Sequence, residues 1–211
     1  MVKRAIGQCA PRSIWFCAVL GLRGAVVVAY LGWLTAYRFA PGAQERPPHL
    51  ATVSFPASFS SDGFRLVLAI HPKCPYSRAS VGELARILAR FPDERASVVL
   101  VYRPLDQNDD WTDTDLARSA REQPRTQVVV DVCGQYARQL GMRTSGAVIL
   151  YSPRSEAEFW GGITISRGHH GDNIGSDAIP AILSGRPPAR PTAPMFGCAI
   201  YEEPGRLAAS G

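Results

Sequence analysis

HPKCPYSRASVGEL, residues 71–84, joins two segments of different periodicity. Before it, FRLVLAI (64–70) is apolar at nearly every position and bounded by Asp62-Gly63 and His71-Pro72, the pattern of a buried strand. After it, Val81, Leu84, Ile87 and Leu88 recur at helical spacing over 77–91, and Pro92 stops the helix. Cys74 therefore lies between the end of a strand and a helix that begins near Ser77. A helix N-terminus carries about half a positive charge and unpaired N–H groups. A thiol placed there falls from a pKa of about 8.5 to roughly 3.5–7.5, and the thiolate is the nucleophile. Lys73 adds positive charge. A cysteine can also pack as a small hydrophobe, but the strand–Cys–Pro–x–Ser–helix context points to chemistry. His71 either helps to deprotonate Cys74 or simply ends the strand.

Outward from this stretch, ASVVLVY (96–102) and TQVVVD (126–131) read as further strands. Between them lies a polar loop and a helix over about 113–123, with Asp113 or Thr114 as its N-cap. A short helix at 133–140 ends at Gly141. GAVILY (146–151) and EFWGGI (158–163) flank a turn at 152–155 and form a hairpin. A last helix covers roughly 176–183, with Pro180 inside it. Strands that alternate with helices and close in a hairpin give an α/β domain with a mixed sheet.

The 211 residues allow one ordinary domain and an appendage, and 46% apolar content excludes both a disordered chain and a multi-span membrane protein. The net charge of +5 lies wholly in residues 1–50, where Lys3, Arg4, Arg12, Arg23, Arg38 and Arg46 face only Glu45. The remainder is neutral, so a nucleic-acid partner is not expected. Residues 13–37 hold Arg23 as their only charge. As a helix they span about 37 Å, enough to cross a hydrocarbon core of about 30 Å. Arg23 near the centre costs roughly 2.5–3.5 kcal/mol, which the flanking apolar residues offset. Basic residues before the span keep the N-terminus cytoplasmic. A cleaved signal peptide would have a shorter core and a small-x-small site, where Arg38 and Phe39 stand instead. The expected organisation is a cytoplasmic N-terminus at 1–12 and a single-pass inner-membrane anchor at 13–37. A linker at 38–60 then leads to a periplasmic domain at 61–185 and a Pro-rich tail at 186–211.

Cys9 and Cys17 belong to the anchor region, while Cys74, Cys133 and Cys198 fall in the exported part, where thiols meet an oxidising compartment. Three is odd, so at least one is free, reactive or paired outside the chain. Cys133, beside Gly134, reads as packing. Cys198 lies in PTAPMFGCAIYEEPG, a tail that can wrap back over the domain, either to meet Cys74 or to anchor itself through Met195, Phe196 and Ile200. The loop SRGHHGDNIG (166–175) has two readings. It binds a substrate, anion or metal through Arg167, His169 and His170, or it is a tight turn whose Asp172 and Asn173 cap the last helix. Nucleotide motifs are missing, and no cofactor or resident metal is expected.

Strand, Cys-Pro-Tyr-Ser (74–77) and helix resemble the active-site region of the thioredoxin-like superfamily. The element order through residue 183, with GMRTSGAVIL leading into the hairpin, resembles the membrane-anchored TlpA/ResA type. HPKCPYSRAS, GGITISRGHHGDN and PMFGCAI together resemble the bacterial RedB proteins, over about residues 60–200. The resemblance implies a three-layer thioredoxin-like fold behind one transmembrane helix. It also implies a thiol–disulfide oxidoreductase with Cys74 as attacking thiol, and it places Tyr76, Ser145 and Gly146 beside the substrate. Two features depart from the superfamily. Ser77 stands where the second cysteine of CxxC is usual, so it can hydrogen-bond the Cys74 thiolate but cannot resolve a mixed disulfide. Gly146, after Thr144-Ser145, stands where thioredoxins carry a cis-proline, which alters substrate docking and leaves room for a metal.

The leading expectation is thus a membrane-anchored, periplasm-facing thiol redox protein acting on a protein or small-molecule thiol or disulfide. Cys74 attacks, and Cys198, Cys133 or a partner's thiol releases the product. The alternative is a copper or zinc carrier using Cys74, Cys198 and one of His71, His169 and His170, since thiolate with imidazole suits those metals. A thiol peroxidase would have a threonine at position 71, where His71 stands.

Overall fold

The structure, a computed structural model, describes residues 11–54, 63–91 and 95–201. Lys3, Arg4, Cys9, Pro92, the 55–60 part of the expected linker and the tail from residue 202 lie outside the described residues. The chain divides into two units, Met1–Ala40 and Pro41–Gly211.

The first unit is a helix, α1 (Pro11–Phe39). Its Ile14–Phe39 stretch has a mean hydropathy of 2.0 and none of it is buried, so it is long and apolar enough to cross a membrane. Tyr30, Trp33 and Tyr37 stack along its C-terminal third, with ring centroids 6.2 and 6.1 Å apart. Such amphipathic rings suit a membrane–water interface.

The second unit is built on a six-stranded mixed sheet. In chain order its elements are β1 (Phe64–Ile70), α2 (Ser77–Arg90), β2 (Arg95–Arg103), α3 (Asp115–Arg121), β3 (Thr126–Val132), α4 (Gln135–Gln139), β4 (Ala147–Tyr151), β5 (Ala157–Gly162), α5 (Ile174–Leu183) and β6 (Thr192–Ala193). The strand order is β3-β2-β1-β4-β5-β6. β1, β2 and β3 are parallel, β4 runs antiparallel to β1, and β5 antiparallel to β4. A parallel βαβ unit followed by an antiparallel hairpin and a helix is the thioredoxin-like fold, with β3 and α4 added between β2 and β4.

β1 is central, and Leu66 to Ile70 are buried on both faces, which is why the run shows no alternation. Leu66, Leu68 and Ile70 pack with Leu84 and Ile87 of α2, Leu116 of α3 and Ile179 of α5. Val67 and Ala69 face the opposite layer, with Leu140, Met142, Leu50, Met195 and Ile200. Each fully buried Leu or Ile contributes about 1.5–3 kcal/mol relative to exposure. Helices on one side, and α4 with two extended segments on the other, make the three layers.

Those extended segments come from opposite ends of the unit. Of the stretch expected as a linker, residues 42–53 run along the domain: Gly42 N–H donates to Met195 O at 2.8 Å, Tyr151 Oη donates to Pro48 O at 3.2 Å, and Leu50 and Val53 are buried. The tail forms β6, which pairs in parallel with Trp160 and Gly161 of β5. Strand β6 has no apolar alternation to announce it. Its bed is visible instead in Gly161 and Gly162, where a Cβ would lie 2.4 Å from tail carbonyl oxygens. α5 begins at Ile174, earlier than expected, because Asn173 forms a capping box with Ser176. α4 is shorter than expected: Cys133 and Gly134 both have positive φ, so the helix starts only at Gln135. There the Asp131 carboxylate accepts the Tyr136 and Ala137 N–H groups, each at 2.9 Å.

Candidate active site

β1 ends one residue before His71, and its last turn is held by Cys74 N–H donating to His71 O at 2.9 Å. α2 follows at Ser77, its N-cap Tyr76 offering no side-chain acceptor to the helix's first N–H groups. The Tyr76 N–H instead points at the Cys74 sulfur. Cys74 is buried, 4% exposed.

The tail completes the site. Cys198 brings its Sγ to 2.8 Å from the Cys74 Sγ, across 124 positions of sequence, with both cysteines free. Two backbone hydrogen bonds fix it there. Ser145 N–H donates to Cys198 O at 2.8 Å and Ile200 N–H donates to Arg143 O at 2.9 Å, and together they make the antiparallel bridge between Thr144 and Ala199. Gly197 is needed for this approach, because a Cβ there would fall 1.8 Å from Ser145 O. From the other side the Arg167 guanidinium donates to Gly197 O.

Ser145 joins every part of the site. Its hydroxyl accepts from His71 N–H at 2.7 Å and lies 2.6 Å from the Ser77 hydroxyl. Ser77 in turn hydrogen-bonds the Cys74 sulfur. The relay runs from His71 N–H through Ser145 and Ser77 to sulfur, with each hydroxyl accepting from one neighbour and donating to the next.

The two thiols are driven apart electrostatically. Burial alone would raise the Cys74 pKa. Hydrogen bonds from the Cys198 thiol, Ser77, the Cys198 backbone and the Tyr76 backbone outweigh burial and leave Cys74 below its ordinary value. Cys198 moves the opposite way, raised by burial and by its hydrogen bond and charge contact with Cys74, with Arg167 opposing the rise. Of the two, Cys74 therefore ionises first and Cys198 last, the order that suits a nucleophile and a second thiol held in reserve.

The remaining residues singled out in the sequence fall as follows. Gly146 has φ +93 and donates its N–H to Ala69 O at 2.8 Å; a Cβ there would lie 2.6 Å from Ser80 Oγ. Tyr76 is half-buried against Gly168 and Arg167, whose guanidinium carbon lies 5.9 Å from its ring. Cys133 is exposed, at the end of β3. The three histidines are engaged apart from the sulfurs. His71 stacks on Tyr102 at 5.5 Å and accepts the Lys73 N–H, His169 Nδ1 lies 2.7 Å from Arg167 O, and His170 Nδ1 lies 3.4 Å from the buried Glu83. Burial, then the Lys73 charge, lowers the His71 pKa. Among the described residues no group of three His, Cys, Asp or Glu side chains is placed to hold a metal ion. The 166–175 loop is both a cap, through Asn173, and a contact for the tail, through Arg167. The sequence reading missed that second role, because Arg167 meets a backbone carbonyl and leaves no residue pattern.

No protein-family model matches the chain, and no curated protein matches it. Among solved structures it is similar to an uncharacterized conserved protein from Geobacillus kaustophilus, at 18% identity and a TM-score of 0.56, covering 79% of this chain and 94% of that one. A hypothetical protein from Sinorhizobium meliloti is similar at 19% identity and a TM-score of 0.55, covering 80% of this chain and 96% of the other. A secreted Mycobacterium tuberculosis disulfide oxidoreductase homologous to E. coli DsbE is similar at 15% identity and a TM-score of 0.44, over 70% of this chain and 96% of that one. The first two likenesses concern the fold alone.

Proposed function

We propose that the chain is a membrane-anchored thiol–disulfide oxidoreductase, facing the periplasm, in which Cys74 exchanges with a disulfide and Cys198 resolves the product. The observation that carries this is the 2.8 Å approach of Cys198 to Cys74, with the two pKa shifts in opposite directions. The Cys74 thiolate attacks one sulfur of the substrate disulfide, forming a mixed disulfide and releasing the other sulfur as thiolate. Cys198 then loses its proton and attacks the Cys74 sulfur. The Cys74–Cys198 disulfide forms, the second substrate thiolate leaves, and the proton from Cys198 is available to it. Two protein thiols are oxidised and one substrate disulfide is reduced. Arg167 favours the Cys198 thiolate at that second step.

α1 supports membrane attachment, and the basic residues before it support export of the domain. By motif the chain falls with the TlpA/ResA type and the RedB proteins, with Tyr76, Ser145 and Gly146 beside the reacting sulfur. Thiol mapping of the full-length protein by mass spectrometry tests the proposal. Oxidation should give a Cys74–Cys198 disulfide that dithiothreitol removes, and Cys198→Ala should accumulate a Cys74 mixed disulfide. Two free thiols after oxidation, with no mixed disulfide in the variant, would sink it.

A further inference from the structure

The tail that supplies Cys198 also covers one approach to Cys74. Ser145 N–H is spent on Cys198 O and Arg143 O accepts from Ile200, the two bonds of the Thr144–Ala199 bridge. An extended polypeptide recognised by strand addition needs exposed main-chain groups of this kind. Beside Cys74 these groups are already taken by the chain's own tail, with Gly197 packed too closely against Ser145 to admit another strand between them.

A second approach is open. Pro72, Lys73, Cys74, Pro75, Arg78 and Leu116, with Thr114 and Asp115, line a groove of about 210 Å³ to which no tail residue contributes. That is smaller than the roughly 300–1,000 Å³ of drug-sized ligand sites, and has room for one arm of a small disulfide. The groove is cationic. Arg78 is exposed on the first turn of α2, and Lys73 is held with its ammonium 4.5 Å from the centre of the Trp111 ring. The one carboxylate in the lining, Asp115, is paired with Arg118 at 2.5 Å, a guanidinium it shares with Asp113 at 2.9 Å, so the lining itself carries two cations against one anion. Trp111 and Tyr102 pack on His71 beside the groove, so Lys73 rests on an aromatic cluster.

We infer that the disulfide Cys74 exchanges with is a small, carboxylate-bearing one that enters by the Lys73–Arg78 groove, and that polypeptide disulfides are excluded while the tail is seated. This rests on the thiol exchange proposed above and names its substrate class. The carboxylates of the entering arm face Arg78 and Lys73, and one substrate sulfur meets the Cys74 thiolate. The bond changes are those already given: a Cys74–substrate bond forms, the substrate S–S bond breaks, and Cys198 expels the retained arm.

The test uses the reduced full-length protein in detergent and follows Cys74 consumption by stopped-flow fluorescence and mass spectrometry. The probes are oxidised glutathione, neutral 2-hydroxyethyl disulfide, cationic cystamine and insulin. Oxidised glutathione should react about tenfold faster than 2-hydroxyethyl disulfide and faster still than cystamine, with the preference fading at high salt. Arg78→Gln should lower the glutathione-to-hydroxyethyl ratio by about fivefold, since charge focusing is what sets it. Equal rates for the three small disulfides, a ratio unchanged in Arg78→Gln, or insulin reduced as fast as glutathione would overturn the inference while leaving the exchange itself intact. Failure of every probe to react with Cys74 would instead remove the exchange on which it rests.

Discussion

At the scale of single residues the site is a hydrogen-bond relay that ends on a sulfur. Ser77 cannot form a disulfide, yet it is not an empty replacement, since its hydroxyl passes the polarity of Ser145 to Cys74. A hydrogen bond to a charged group contributes about 1.5–3 kcal/mol. Ser77→Ala should therefore slow iodoacetamide alkylation of Cys74 at neutral pH by about tenfold, the factor that corresponds to about 1.4 kcal/mol. The direction with pH follows from the thiolate fraction. Because the Cys74 pKa is lowered, its alkylation should persist to more acidic pH than that of a free thiol, and in Ser77→Ala the midpoint should move up. Cys198, with its pKa raised, should stay protonated and silent through neutral pH in the same experiment. A midpoint that does not move in the variant would show that the Cys198 thiol and the backbone N–H groups hold the thiolate without Ser77.

At the scale of elements, the tail makes a monothiol motif into a two-thiol site. Strand β1 and helix α2 were legible from sequence because their apolar spacing reports directly on burial, and Cys74 followed from the junction between them. Cys198 was legible only as one of several second thiols. Nothing in the spacing of residues 192–201 says that they lie across β5 and the Thr144–Ser145 turn, because that contact is made by backbone groups. The signs that existed were small residues: Gly161, Gly162 and Gly197 each lie where a side chain would strike an opposing carbonyl. Gly197→Ala tests this. Its Cβ would meet Ser145 O at 1.8 Å, so the tail must lift. Misplacement by about 1 Å can cost 100-fold, and formation of the internal disulfide should slow by about that factor in quenched-flow thiol trapping. Alkylation of Cys74 should rise in the same variant at alkaline pH, because its cover has moved, while its pH midpoint should move up with the loss of the hydrogen bonds from Cys198. An unchanged closure rate would mean that the tail is held by β6 and Arg167 without the close approach at residue 197.

At the scale of the whole molecule, the sheet gathers the ends of the second unit onto one layer. Residues 42–53 and the tail lie on the same face as α4, and Gly42 touches Met195 directly. A Cys74–Cys198 disulfide would therefore close a loop of 124 positions through most of the domain. By chain entropy such a loop stabilises the folded state by about 5 kcal/mol, which for a domain of this size raises Tm by about 10 °C or more. Calorimetry of the oxidised and reduced protein should show that difference, and Cys198→Ala should abolish it. Equal Tm values would place the loop's ends together already in the unfolded chain. The chain-order separation of the two sulfurs also sets a schedule. Synthesis runs from the N-terminus, so α1 is made first, Cys74 follows, and Cys198 comes only after all the strands from β1 to β6. Until that last stretch has been made and laid across β5, a nascent chain carries the sulfur proposed to attack without the partner that completes the turnover, and the onset of internal disulfide formation marks the moment at which the domain has finished folding.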